Sequence, residues 1–282
     1  MRMTSRGGIG RLLRQLGQED WLSRLIDQHF DSKGRKESWG KSDPSIHPSG
    51  AGSSCEREIE LGLLGHRTSI PGSSRRRMDN GTAMHTRWQG YLKDMQILKV
   101  KEAPVKLADP IVSGRLDAVV QNPSTGKLTL VELKSVNSNG FRRLPRSTTD
   151  RKGNMNAMYS WNQPWGRGYV LQFIWYYMHG DDGGRKFEEA VFLFECKDTQ
   201  EYQVIYVEPS EELVKESRLR PVAAQNAFLE GKLLDRPYQK GHPVCRRCDR
   251  ENVCNLLEDG DDATWQIVVD QFRKGGVETK RD

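Results

Sequence analysis

No stretch of the 282 residues approaches the ~18 consecutive apolar positions that a membrane-spanning helix requires, so such a helix is excluded. Cysteine is scarce and odd in number: five residues, three of them between 245 and 254, which argues against a secreted disulfide framework. Apolar side chains reach only 35%, below the globular norm, yet 7 Trp, 8 Tyr and 8 Phe supply enough bulk for a core. Acids fall short of bases, 38 against 44, leaving a net charge of +6. That balance suits a polyanionic partner without identifying one.

Residues 1–18 hold four Arg and no acid, the composition of a mitochondrial transit segment. Against that, Leu12, Leu13, Leu16, Trp21, Leu22, Leu25 and Ile26 recur at helical spacing and predict an amphipathic helix over about Ile9–Phe30. No apolar run follows the basic start, so a cytoplasmic location is expected.

Ser32–Ser54, rich in Gly, Ser, Pro and Lys, reads as a linker. Ser53 and Glu56 have capping-box spacing ahead of Ile59, Leu61, Leu63 and Leu64, predicting a helix that ends at Gly65. His66–Asn80, with Arg67 and Arg75–Arg77, reads as an exposed loop. A second helix is expected from about Gly81 to Lys99, with His85, Trp88, Leu92 and Met95 on one stripe. The period then changes. Ile111–Gln121 and Leu128–Val136 are β-rich runs joined by the breakers Asn122–Gly126. An irregular basic stretch, Asn137–Gly166, precedes a helix over Gly168–His179, two strands at Ala190–Cys196 and Tyr202–Val207, and a Ser210-capped helix to Glu230 that Pro221 should interrupt. Strands flanked by helices predict an α/β sheet domain.

The chemistry concentrates in Gly114-Arg115-Leu116-Asp117 and, fifteen residues beyond Asp117, Glu132-Leu133-Lys134. Strand residues two apart share a face, so Glu132 and Lys134 project together, and the turn brings Asp117 alongside. Two carboxylates converging beside an ammonium are costly to bury unless a divalent cation joins them. Carboxylate oxygens are the hard ligands of Mg²⁺ or Mn²⁺. Lys134 could then orient a water and offset charge developing on a phosphate. The E-x-K pattern alone is weak, since it recurs at Glu195/Lys197, Glu230/Lys232 and Glu278/Lys280. Only Glu132/Lys134 has an acid on the neighbouring strand, and apolar residues on both faces of Leu128–Leu133 mark a central strand rather than a surface ion pair.

The order Gly81-x3-His85, Gly114-x2-Asp117, Glu132-x-Lys134, Gln172-x3-Tyr176 resembles the RecB-type branch of the PD-(D/E)xK nuclease superfamily. The resemblance implies a restriction-endonuclease-like mixed central sheet and a metal-dependent DNA phosphodiesterase. It implies metal ligation by His85, Asp117, Glu132 and the Leu133 carbonyl, catalysis by Lys134, and support of the site or of DNA by Gln172 and Tyr176. Leu116 stands where the superfamily name has Pro.

Cys245-x2-Cys248-x5-Cys254 is a local thiolate trio, and Cys55 is the natural fourth ligand, closing a loop of about 190 residues. The residues alone leave Zn²⁺ and an iron–sulfur cluster open, with His242 close by. One Cys before the nuclease motifs and C-x2-C-x5-C after them resembles the iron–sulfur RecB-like nucleases, the AddB type and the CRISPR-associated exonucleases, which implies a structural [4Fe–4S] cluster. Cys196 reads as a buried small hydrophobe.

Arg142, Arg143, Arg146, Arg151, Lys152 and Arg167, interleaved with Phe141, Tyr159, Trp161 and Trp165, suit single-stranded DNA or a frayed end. The expected organisation is an N-terminal helix and linker over 1–52, a nuclease domain over 53–258 and a polar tail over 259–282. The expected function is a Mg²⁺- or Mn²⁺-dependent deoxyribonuclease, acting as an exonuclease on ends or single strands beside recombination, CRISPR or phage replication proteins. The rival is a catalytically silent DNA-binding or adaptor subunit with a structural Cys₄ site.

Overall fold

The computed structural model describes residues 21–33, 45–63, 70–144, 164–181, 183–207, 209–257, 259, 265 and 266. The chain divides into two units, one of residues 1–37 and 68–80 and one of residues 38–67 and 81–282. In the first, helix α1 (Trp21–Lys33) falls within the span expected to be helical and runs three residues past it. The Arg76 guanidinium lies 5.0 Å over its Phe30 ring and 3.7 Å from Asp27. The transit-like residues 1–18 lie outside the described residues.

The second unit carries α2 (Pro48–Ala51), α3 (Glu56–Leu63) and a helix shared with the first unit, α4 (Gly72–Asp94). Strands β1 (Leu98–Ala108), β2 (Ile111–Gln121) and β3 (Leu128–Val136) follow, then α5 (Ser138–Arg142), α6 (Pro164–His179), β4 (Glu189–Cys196), β5 (Tyr202–Tyr206), α7 (Glu211–Glu230) and α8 (Glu251–Leu256). The sheet order is β1-β2-β3-β4-β5, parallel at β3–β4 and antiparallel elsewhere. This is the α/β class expected: a mixed sheet flanked by helices. Leu128 to Leu133 are all buried, as a central strand requires. On one face Leu130 and Phe192 pack with Val170, Phe173 and Ile174 of α6; on the other Val131 and Leu133 pack with Met84 and Leu92 of α4. No described helix is long and apolar enough to cross a membrane.

Four local expectations are corrected. The loop expected over His66–Asn80 is helical from Gly72: the Pro71 carbonyl accepts from Ser74 and Arg75, and Arg75 pairs with Asp79 at 3.1 Å. Ser53 bonds Glu58 at 2.5 Å rather than Glu56. Within the expected linker, Ile46 is buried and bridges to Val112, and Pro48–Ala51 is a helical turn. Finally, α7 runs through Pro221 unbroken. A proline frees the carbonyl four residues before it, here that of Ser217, and the buried Trp175 indole N–H donates to it at 3.2 Å. The backbone acceptor that should end the helix is satisfied from α6.

Beyond 258, Asp259 accepts from the fully buried Arg57 at 2.6 Å, and Trp265 is itself fully buried. Arg57 also donates to the carbonyls of Leu234 and Leu257. The C-terminal segment is thus tied to α3.

Candidate functional site

The β2–β3 ladder runs from Gln121↔Leu128 to Ala118↔Val131 and stops. One step further, Asp117 would face Glu132, and there the strands part. The Leu133 N–H, deprived of a β2 carbonyl, donates to Asp117 Oδ2 at 2.8 Å. Leu116 packs on the α6 side and Ala118 on the α4 side, so Asp117 sits at the junction of the two layers. Glu132 is 1% exposed and projects with Lys134 toward α6. Lys134 Nζ donates to Glu132 Oε1 at 2.6 Å and to Gln172 Oε1 at 3.3 Å, and it lies 4.8 Å over the Tyr169 ring. The acid, acid and lysine singled out by spacing therefore meet.

Burial pushes the Glu132 carboxyl up to about 7, with Asp117 adding to the rise and Lys134 opposing it. Burial also disfavours the Lys134 ammonium, but Glu132 and Asp117 more than offset this and hold its pKa above the usual value. The second Glu132 oxygen is buried without a hydrogen-bond partner among the described residues. An orphaned carboxylate oxygen next to a second carboxylate is the donor set a hard divalent cation fits.

His85, on α4, reaches the same place from the opposite layer, its Nδ1 3.4 Å from Asp117 Oδ1. Burial lowers its pKa, and the hydrogen bond and charge of Asp117 outweigh that, so the net shift is upward. Spacing did not reveal Glu102, on β1. One ligand atom each from His85, Glu102 and Asp117 lie within 4.8 Å of one another. The β1–β2 register pairs Lys101 with Ala118 and Ala103 with Leu116, which sets Glu102 across from Asp117.

Burial drives the Tyr176 pKa up, with the neighbouring Gln172 side chain and Arg115 backbone opposing the rise. Its hydroxyl approaches Gly114, where an added Cβ would lie 3.0 Å from it and 2.7 Å from Pro48. Gln172 and Tyr176 thus link α6 to Lys134 and to the strand carrying Asp117. The second strand-borne E-x-K is accounted for otherwise: the buried Glu195 accepts from Arg87 at 2.5 Å and Trp88 at 2.7 Å.

Cys55, Cys245, Cys248 and Cys254 line one cavity together with Glu58 and Tyr238. Tertiary packing of α3 against the chain's last turns thus collects the four thiols chosen by spacing. Burial pushes Cys55 up to about 11 and Cys248 up to about 12. Cys196 is buried in β4, away from this cavity.

Of the expected DNA-contacting residues, Arg142 and Arg143 are exposed on α5 and at its end. Arg146, Arg151, Lys152 and Trp161 lie outside the described residues, as does the Trp165 side chain. An open cleft of about 330 Å³, lined by Asn139, Arg143, Tyr169 and Lys197 among others, adjoins the strand end that follows Lys134.

Neither a family model nor a curated protein matches this chain. A solved structure described as "Crystal structure of SSO0001" is similar at 14% identity and a TM-score of 0.43, covering 84% of this chain and 98% of that one. A likeness at that level carries no functional argument.

Proposed function

We propose that this chain is a metal-dependent DNA nuclease of the RecB-like type. The observation that carries the reading is the buried Glu132 carboxylate, held by Lys134 on one oxygen and unpartnered on the other, next to Asp117 at the parted ends of β2 and β3. A surface ion pair needs neither the burial nor the second acid. Asp117, Glu132, His85 and the Leu133 carbonyl would hold a Mg²⁺ or Mn²⁺ ion. When bound, such an ion supplies Lewis-acid polarisation of a phosphate oxygen and lowers the pKa of water.

The protein's own groups do the rest. Lys134, fixed by Gln172 and capped by Tyr169, presents an ammonium that offsets charge growing on the phosphate in the transition state. Gln172 and Tyr176 keep that lysine and the Asp117 strand in register. Arg143, Lys197 and Tyr169 border a cleft beside this centre, with two cations for phosphates and a ring for a base, which favours single strands or frayed ends. The four thiols would hold a [4Fe–4S] cluster with a structural role.

The reading is tested with end-labelled single- and double-stranded DNA, with free and blocked ends, in Mn²⁺. The wild type should digest free-ended DNA; E132Q and K134M should bind it and leave it intact. Undiminished digestion by either variant refutes the assignment.

A further inference from the structure

We propose that Glu102 is a ligand of the divalent ion, joining His85 and Asp117. The proposal deepens the metal-dependent reading and rests on its ion, not on the reaction catalysed.

Backbone conformation carries the argument first. Three described non-glycine residues have positive φ: Gln96, Glu102 and Gln200. Gln96 follows the last turn of α4, its N–H on the Lys93 carbonyl, and Gln200 lies in the β4–β5 turn, its N–H on Cys196. Both are places where a left-handed residue reverses or ends an element. Glu102, at φ 51, stands in the middle of the eleven-residue strand β1, where no turn requires it. Left-handed backbone in a non-glycine residue is unfavourable and persists where its surroundings over-determine it, commonly at ligand sites.

What the twist achieves is visible in the contacts. The carboxylate of Glu102 is clamped through one oxygen by the buried Gln89 amide at 2.8 Å, and the same amide nitrogen donates to the Asp117 carbonyl at 3.0 Å. One amide therefore sets the spacing between the Glu102 side chain and the Asp117 backbone. With His85, the two acids present one nitrogen and two carboxylates within 4.8 Å. A second, independent observation is Glu132: nine-tenths buried and more, within electrostatic reach of both Asp117 and His85, and with an oxygen that no donor among the described residues satisfies. Two carboxylates and an imidazole converge here with Glu132 beside Asp117, and the Lys134 ammonium is engaged on Glu132 and Gln172.

The test titrates full-length protein with Mn²⁺ alone, reading free Mn²⁺ by electron paramagnetic resonance. Glu102→Gln keeps the Gln89 contact and removes the charge. Glu102→Gly adopts positive φ freely, so it guards against a folding artefact. Glu211→Gln, at the start of α7, is the control. Both Glu102 variants should weaken Mn²⁺ binding by about tenfold or more, in line with losing one anionic ligand of a small set, while E211Q stays within about twofold. Mn²⁺ binding by E102Q and E102G within about twofold of wild type overturns the proposal. The nuclease reading fails separately: DNA digestion surviving in E132Q sinks it while an E102Q binding defect still stands.

Discussion

Replacing Lys134 with Met isolates the electrostatics of the buried centre. The ammonium gives Glu132 its hydrogen bond at 2.6 Å, and the other oxygen of that acid has none, so the variant leaves a carboxyl that is 1% exposed without a partner. Breaking a buried pair in this way costs about 3–5 kcal/mol if the carboxylate stays ionised. Glu132 has an escape, because burial already pushes it up to about 7 and removing Lys134 takes away a group that holds it down. At about pH 6 it becomes a neutral, poorly satisfied polar group costing about 1–3 kcal/mol. An acid whose folded pKa is raised keeps its proton in the native state and sheds it on unfolding, so stability falls as pH rises between the two values. In K134M the upper end of that window moves above 7, and the gap from wild type should widen there by up to about 1.4 kcal/mol per pH unit. Urea unfolding at about pH 6 and about pH 8 measures this, with the slope m checked for constancy. Saturating Mn²⁺ should close part of the gap, since a cation beside Glu132 replaces the lost charge. A gap under about 0.5 kcal/mol, or one equal at both pH values, would show that the pair does not share a buried proton economy as reasoned.

Two further outcomes follow from particular contacts. Trp175→Phe should cost about 1–3 kcal/mol by stranding the Ser217 carbonyl, and P221A should cut that penalty by about 1 kcal/mol, because residue 221 regains an N–H for the same acceptor; equal penalties in the two backgrounds, by double-mutant cycle, would refute the account of the unbroken helix. Cys55 and Cys248, pushed up to about 11 and about 12, should alkylate slowly with iodoacetamide near neutrality in protein without metal or cluster, and accelerate about tenfold per unit as pH rises. Mass-spectrometric mapping that finds them as fast as an ordinary thiol would contradict the burial of that cavity.

What the sequence made legible is what depends on neighbours. Asp117, Glu132 and Lys134 were found because a short turn with strong breakers fixes which residues of two adjoining strands approach, and because Leu128–Leu133 is apolar on both faces. The thiol set was found because three of its members are local. Glu102 was missed with the whole of β1. That strand is an edge, carrying Lys99, Lys101, Lys106 and Pro104, the features that keep a sheet edge from pairing with strangers, and they blur the alternation by which a strand is recognised. Pro221 was misread because its remedy is an indole on another helix, 42 residues from the Ser217 carbonyl it satisfies. Arg57 was silent for the same reason: the three groups that make its complete burial tolerable lie 177, 200 and 202 residues along the chain. Gly81 sits inside α4 because Pro71 had already opened the helix.

The thiol cavity draws its walls from segments far apart in the order of translation. The five described strands have been synthesised by Tyr206, whereas three of the four sulfurs arrive only between Cys245 and Cys254. A nascent polypeptide therefore carries Glu102, Asp117 and Glu132 before the cavity's last three thiols exist. A chain halted between those points would leave Arg57 without the Leu257 carbonyl and the Asp259 carboxylate that accept its hydrogen bonds.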